Sequence, residues 1–544
     1  MPASQEKPSP RLDETISNEA SAATLPPYDK ALSTRKWCIV GLVYSYLIAF
    51  ILLIVGTYLY VRRGWRAGPR PSGGGWIDRD YPLQSIKPMS TSSRELSLLA
   101  LNFLVTLPTE AIGYVHATSL RWALYHDGRL RHNSNLRLFT SSRSTMPNNC
   151  WVNGLWVVLL TVSYSCASQL LYTEQDWDLV DDGPLGKFAL NEQTSVNCLA
   201  IVLLGTCLMV SILVCTHILC PFLIDDNQVL TLLATWTLLP KYSKHITTWN
   251  SSALNTALAT QHPHPRPPQP DTSGPATRLQ DRMYTTSRSI LPMLIFLWFL
   301  VPLLCAAGIA TWLLTGQQDL SFTFDYLAYI WRDTNSKNWP LWIFDTTSSE
   351  RFQDQTSVHV LINILFVAAL QLLYTIALHV AELFVNLHRD EINCRAASNL
   401  NPVKGGAQIA PNAFKSALTA WPTVFLFILK PVSHWVFGLS FPIDLDQGIR
   451  FHPLPLFTLM GMAALLASFA TYLALRRPTG PQPSAFGKLD LLVNMVNDWG
   501  EGAEGRIYWG QKCGLSDEGM RRVSTKGIPD GLREVEVDGG SYVG

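Results

Sequence analysis

The stretch WCIVGLVYSYLIAFILLIVGTYLYV, residues 37–61, holds 25 residues without one charge. As a helix rising 1.5 Å per residue it reaches about 37 Å, more than the roughly 30 Å hydrocarbon core of a bilayer. Arg62, Arg63 and Arg66 close it with a basic flank. Outward from it, segments of the same kind recur at 151–171, 197–224, 290–314, 358–385 and 456–475. So many apolar helices belong in lipid, and the chain is expected to form an all-α polytopic transmembrane helix bundle over residues 37–477.

Two further segments leave the count open. Residues 96–116, LSLLALNFLVTLPTEAIGYVH, are apolar enough to cross but carry Pro108, Glu110 and His116. Residues 418–439 contain Pro422, Lys430, Pro431 and His434 and read as a broken span. Seven or eight spans result, depending on 97–116.

The rest of the chain reads as appendages. Residues 1–36 mix Pro, Ser, Ala and charge without periodicity, the signature of a disordered tail, and contain no cleavable signal. Residues 67–94, with the run Gly73–Gly75, read as a loop. Residues 229–239 suit an interfacial helix, and the Pro- and His-rich 261–288 is a flexible linker. The loop 317–356 is aromatic-rich, as segments at the headgroup zone are. In the soluble tail 478–544, Leu489, Leu492, Val493, Val496 and Trp499 recur at helical spacing, predicting an amphipathic helix over 486–499. Residues 500–514 read as a loop.

A net charge of +1 gives no global reason to bind nucleic acid. The ten cysteines fall mostly in apolar stretches and read as free packing thiols. Charge asymmetry orients the bundle, because cytosolic loops carry the Lys/Arg excess. Residues 119–150 hold Arg121, Arg129, Arg131, Arg137 and Arg143 against Asp127 alone, whereas the loop after the next span carries Glu174, Asp176, Asp178, Asp181 and Asp182. Alternation then places 225–288, 388–416 and the C-terminal tail in the cytosol. The sequon at Asn250 falls in one of these cytosolic loops and is expected to stay unglycosylated.

Charge at mid-bilayer depth costs several kcal/mol, so such groups face the bundle interior and find partners. Glu110 and Lys430 stand near the middle of their segments, each beside a proline, and are expected to pair, with His434 one turn past the lysine. Gln371, Thr375, His379, Glu382 and Asn386 share one face of another span. His379 and Glu382, three apart, suit a shared proton, although a polar seam between helices explains the same stripe. His388 and Glu391 repeat that spacing just beyond the span and read as a surface loop. Ser163, Ser165 and Ser168 read as helix-packing hydroxyls. The candidate intramembrane polar site is thus Glu110, Lys430, His434, His379 and Glu382. No metalloprotease helix, nucleophile elbow, Walker loop or dinucleotide fingerprint in a strand–turn–helix setting is present, so no catalytic residue, cofactor or metal is predicted.

Five stretches carry a resemblance: 110–143 (EAIGYVHATSLRWALYHDGRLRHNSNLRLFTSSR), 248–260 (TWNSSALNTALAT), 379–391 (HVAELFVNLHRDE), 429–439 (LKPVSHWVFGL) and 499–510. They resemble a family of multi-pass integral membrane proteins of filamentous fungi to which no activity is assigned. The resemblance implies a fungal membrane protein and supplies no site residues. Three functions stay open: a carrier or channel for a small solute or proton, a receptor-like or scaffolding protein that recruits partners through its cytosolic parts, and a membrane-embedded enzyme. The lipid bilayer is the one partner expected.

Overall fold

The computed structural model describes residues 32–64, 83–126, 138–179, 188–219, 282–314, 357–479, 506–508, 510–515, 521–524, 532–533 and 542–543, with short gaps at 87–88, 144–147, 287–288, 402–404, 409–414, 416–417, 445–447 and 450. Eight helices in it are long and apolar enough to cross a membrane. They are α1 (Leu32–Gly64), α2 (Thr91–His126), α3 (Cys150–Ser168), α4 (Cys198–Leu219), α6 (Ile290–Leu314), α7 (Ser357–Ala397), α8 (Trp421–Ser440) and α9 (Pro453–Leu475), with a one-turn α5 (Met283–Thr286) before α6. The sequence reading of 1–31, 229–239, 261–281, 317–356 and 486–499 falls outside the described residues, as does the sequon at Asn250.

The open question of 97–116 is answered by a small sheet. Strands β1 (Leu83–Ile86), β2 (Leu171–Leu179) and β3 (Phe188–Asn197) pair antiparallel in the order β1-β3-β2. β1 precedes α2, and β2 follows α3. For both to reach one sheet, α2 must cross in one direction and α3 return in the other. At 36 residues α2 has ample length, and it runs through Pro108 without ending. The bundle therefore has two faces, a sheet face and a tail face that carries the segment between α2 and α3 and the C-terminal tail. Arg62, a basic residue left at the sheet face by eight spans, lies over the Tyr58 ring at 5.7 Å.

Several stretches differ from the sequence reading. The loop expected to follow the third span is the β2–β3 hairpin, and part of 67–94 is β1. The expected break at Pro431 is absent: α8 takes Pro422 into its first turn, where no intrahelical N–H is needed, and continues through Pro431 to Ser440. The seventh helical element does not stop near residue 385 but continues to Ala397. In the tail, part of the expected loop 500–514 forms strands β7 (Arg506–Ile507) and β8 (Gly510–Leu515). β8 joins β9 (Arg521–Ser524), β10 (Leu532–Arg533) and β11 (Tyr542–Val543) in the order β10-β8-β9-β11. β7 pairs with β4 (Ala407–Gln408), which ties the tail to the segment just after α7, and β5 (Ile443–Asp444) pairs with β6 (Gly448–Ile449) between α8 and α9.

α3, α4, α7 and α8 bury half or more of their spanning residues, whereas α1 and α6 face mostly outward. α1 packs along α4, and α6 along α9. The outer side of α6 presents Leu291, Ile295, Phe299 and Leu303, a stripe of step four and exposed large side chains that suits lipid. Since lipid is as apolar as leucine, close packing and hydrogen bonds hold such helices together. Tyr46 Oη meets Thr216 Oγ1 at 2.8 Å between α1 and α4, and Trp298 Nε1 donates to Thr471 Oγ1 at 3.0 Å between α6 and α9. A Cβ on Gly205 would stand 3.0 Å from Leu53, so glycine there lets α4 approach α1. Cys166, Cys198, Cys207 and Cys215 are buried free thiols.

Crossing by α2 has a direct check. Ser90 and Cys150 are both exposed and stand at opposite ends of the α2–α3 pair. In membranes, with the other cysteines removed, a membrane-impermeant maleimide is expected to label Cys150 from one side and Ser90→Cys from the other. Labelling of both from the same side would return the bundle to seven spans.

Candidate functional site

Lys430 sits at the tenth position of the 20-residue α8, so about 13–15 Å of helix separates it from either end. Its side chain is 3% exposed. Nζ lies 2.5 Å from Oε1 of Glu110 on α2 and also meets Oε1 of Glu382 on α7. The two carboxylates are less enclosed, at 33% and 25% exposure. One ammonium thus joins acids from two other helices, α2 and α7, which make little direct contact with each other.

The structure brings Glu110 and Lys430 together and adds Glu382, which the sequence reading had placed with His379 near the cytosolic end of a shorter span. The continuation of α7 to Ala397 is what moves Glu382 to the depth of Lys430. His379 Nδ1 is 3.0 Å from Glu382 Oε1, an ion-pair distance once the ring is protonated. His434 belongs to the same interior layer but not to the charge cluster. Its Nδ1 meets Gln371 Nε2 at 2.7 Å, and its ring stacks on Tyr164 with centroids 3.6 Å apart. The stripe on α7 is therefore divided: Gln371 meets His434, while Glu382 meets the lysine and has His379 against it.

Tyr164 escaped the sequence reading, which saw only the serines around it. Its hydroxyl meets Thr109 Oγ1 at 3.1 Å, one residue from Glu110, so α2, α3 and α8 interlock around the charged layer. Its position one residue after Ser163 in an apolar helix was the available signal. Tyr374 donates to Ser433 Oγ at 3.2 Å and adds a second α7–α8 link. The serines mostly behave as packing residues: Ser163 and Ser168 donate within their own helix, and Ser165 donates to the Ile364 carbonyl of α7 at 3.0 Å. Among the described residues, Thr375 Oγ1 and Gln371 Oε1 have no protein partner, although their side chains are at most 1% exposed. Buried polar atoms of this kind normally hold water or a ligand group.

Beyond the membrane layer, His388 and Glu391 are not on a surface loop. They lie on the last turns of α7, buried at 3% each, with His388 Nδ1 3.2 Å from Glu391 Oε2. Glu391 Oε1 also receives Arg476, the residue that ends α9. Arg395 Nη1 donates to Thr479 Oγ1 at 2.6 Å. The start of the C-terminal segment is thus fastened to the same helix that carries Glu382. At the sheet face, Glu95 is held by Arg94 at 3.2 Å and by Trp435 Nε1 at 3.1 Å. Among the described residues no three His, Cys, Asp or Glu side chains converge as a metal site requires.

No family model matches the chain, and no curated protein or solved structure matches it either.

Proposed function

We propose that this membrane protein is a carrier or channel for a small solute or proton, with Lys430, Glu110 and Glu382 at its centre. The observation that carries the reading is the burial of Lys430 at mid-helix between acids from two other helices. A bundle that needs only to stay in lipid is built more cheaply from apolar contacts, because desolvating three ionised groups costs more than packing hydrophobic side chains of similar size. Intramembrane ionisable groups recur instead along substrate and ion pathways. The buried, unpartnered Thr375 Oγ1 and Gln371 Oε1 support an interior that admits water.

α2 ends and α3 begins at the tail face, and the excess of arginine in the sequence 119–150 that joins them makes that face cytosolic by the charge rule, with the C-terminus. Membership in the fungal family that the sequence resembles is part of the same proposal and brings no activity with it. A scaffolding role is the second reading, supported by the C-terminal strands and their pairing with β4.

Water access separates the two. Tyr114 and Asn386 are partly exposed and lie one turn tailward of Glu110 and Glu382. Cysteines at these positions are expected to react with a charged methanethiosulfonate reagent far faster than cysteines at Leu465 or Ile295, which face outward from α9 and α6. Equal, slow reaction at all four would indicate a dry bundle and favour the scaffold.

A further inference from the structure

We infer that the Lys430 cluster is a proton-exchange site in which Glu382 and His379 carry the exchangeable proton and Glu110 stays paired with Lys430. This deepens the transport reading and rests on it for its physiological use. Three features lead here. The first is charge: one ammonium faces two carboxylates, so with His379 neutral the cluster holds one negative charge in excess. A surplus charge at that depth is removed most simply by one proton.

The second is the division of labour between the acids. Glu110 Oε1 meets Lys430 Nζ at 2.5 Å, whereas Glu382 Oε1 is shared between Lys430 and the His379 ring, 3.0 Å away. Only Glu382 thus has a second proton-accepting group against it. The third is access. Glu382, Asn386 and Asp390 recur at step four on α7, all partly exposed, and lead from the cluster to the tail face. On the other side the buried, unpartnered Thr375 Oγ1 and Gln371 Oε1 continue the stripe toward His434.

The ionisable groups around Glu382 are Lys430 of α8, in direct contact, and His379 of α7 itself; Glu110 of α2 shares the lysine, and Tyr164 of α3 and His434 of α8 stack on each other in the same interior layer. The spanning parts of α4, α6 and α9 contain no Asp, Glu, Lys or Arg to balance the cluster. In the loading step a proton from water adds to a Glu382 carboxylate oxygen or to a ring nitrogen of His379. The cluster charge rises from −1 to zero and no covalent bond within the protein is broken. Return of that proton to water reverses the step.

The test uses the full chain reconstituted in liposomes, with protons as the only probe. Glu382→Gln leaves Lys430 and Glu110 as a balanced pair, so this variant is expected to fold. Infrared difference spectra between acid and neutral pH are expected to show a titrating carboxyl band in the wild type that is lost in Glu382→Gln. Proton entry under an imposed pH gradient, read by an enclosed dye, should fall in Glu382→Gln to the level of empty liposomes. A band with no proton entry keeps the exchange site and overturns transport. Proton entry that Glu382→Gln leaves unchanged, with the band intact, overturns the exchange site and keeps transport. Absence of both overturns both.

Discussion

Converting Glu110 and Glu382 together to glutamine is expected to destabilise the bundle more than any single change within the charged layer. The double variant leaves Lys430, 3% exposed, without a counter-charge in the middle of α8. Removing the partners of a buried charge costs about 3–5 kcal/mol, and a lysine this enclosed has little room to reach water. Lys430→Met is expected to cost less, because Glu110 and Glu382 are 33% and 25% exposed and protonation can neutralise them. Adding Lys430→Met to the double glutamine variant should recover most of the loss, since the triple variant has no charge left to desolvate. The measurement is thermal unfolding in detergent, read by the exposure of buried cysteines such as Cys166 to a thiol-reactive dye. If the double variant unfolds at the wild-type temperature, Lys430 is not held by these acids. If the triple variant is no better than the double, the damage is steric and the charge argument fails.

That experiment examines a contact the sequence indicated only in part. Glu110 and Lys430 were legible because each is a charge at mid-span beside a proline, and the cost of burying either alone demands a partner. Glu382 was legible as a polar residue on the stripe of α7 but not as the second acid on Lys430. Its depth depends on where α7 crosses the bilayer, and hydropathy marks that position only where the apolar run ends. The polar turns from Asn386 to Ala397 continue the helix because Glu391, which also holds His388, and Arg395 find partners in Arg476 and Thr479, which lie some 85 residues further on. Pairing at that separation leaves no local trace. The same holds for the sheet. β2 reads as an acidic loop because Glu174, Asp176 and Asp178 dominate it and its alternate positions include the polar Thr173 and Gln175, and it becomes a strand by pairing with β3, which β1 covers on the other edge. Spans and prolines are properties of windows about 20 residues long, whereas the site is made by three helices meeting at one depth.

Gly438 is expected to be the least tolerant small residue at the edge of that site. A Cβ built on it would lie 2.5 Å from Ser168 Cβ, 3.2 Å from its Oγ and 3.3 Å from its carbonyl oxygen, so α8 and α3 touch almost backbone to backbone. The crossing is locked on the sheet side by Gln169, whose Nε2 donates to the Phe441 carbonyl at 3.1 Å and whose Oε1 accepts from Ile443 N–H at 3.3 Å. The helices therefore cannot slide apart there without losing buried hydrogen bonds, and the extra methyl must be absorbed by strain. Gly438→Ala is expected to cost about 1–3 kcal/mol, and Gly438→Leu to prevent α3 and α8 from docking. One turn away on each helix, Tyr164 stacks on His434 at 3.6 Å, so the separation forced by alanine also opens that contact. Cysteine placed at Ser433, buried in the wild type, should then become reactive to a thiol reagent in the Gly438→Ala background. Pairing Gly438→Ala with Ser168→Gly removes the atoms it strikes and should restore both stability and protection. Failure of that pair to recover would mean that glycine is required at 438 for some reason other than the approach of α3.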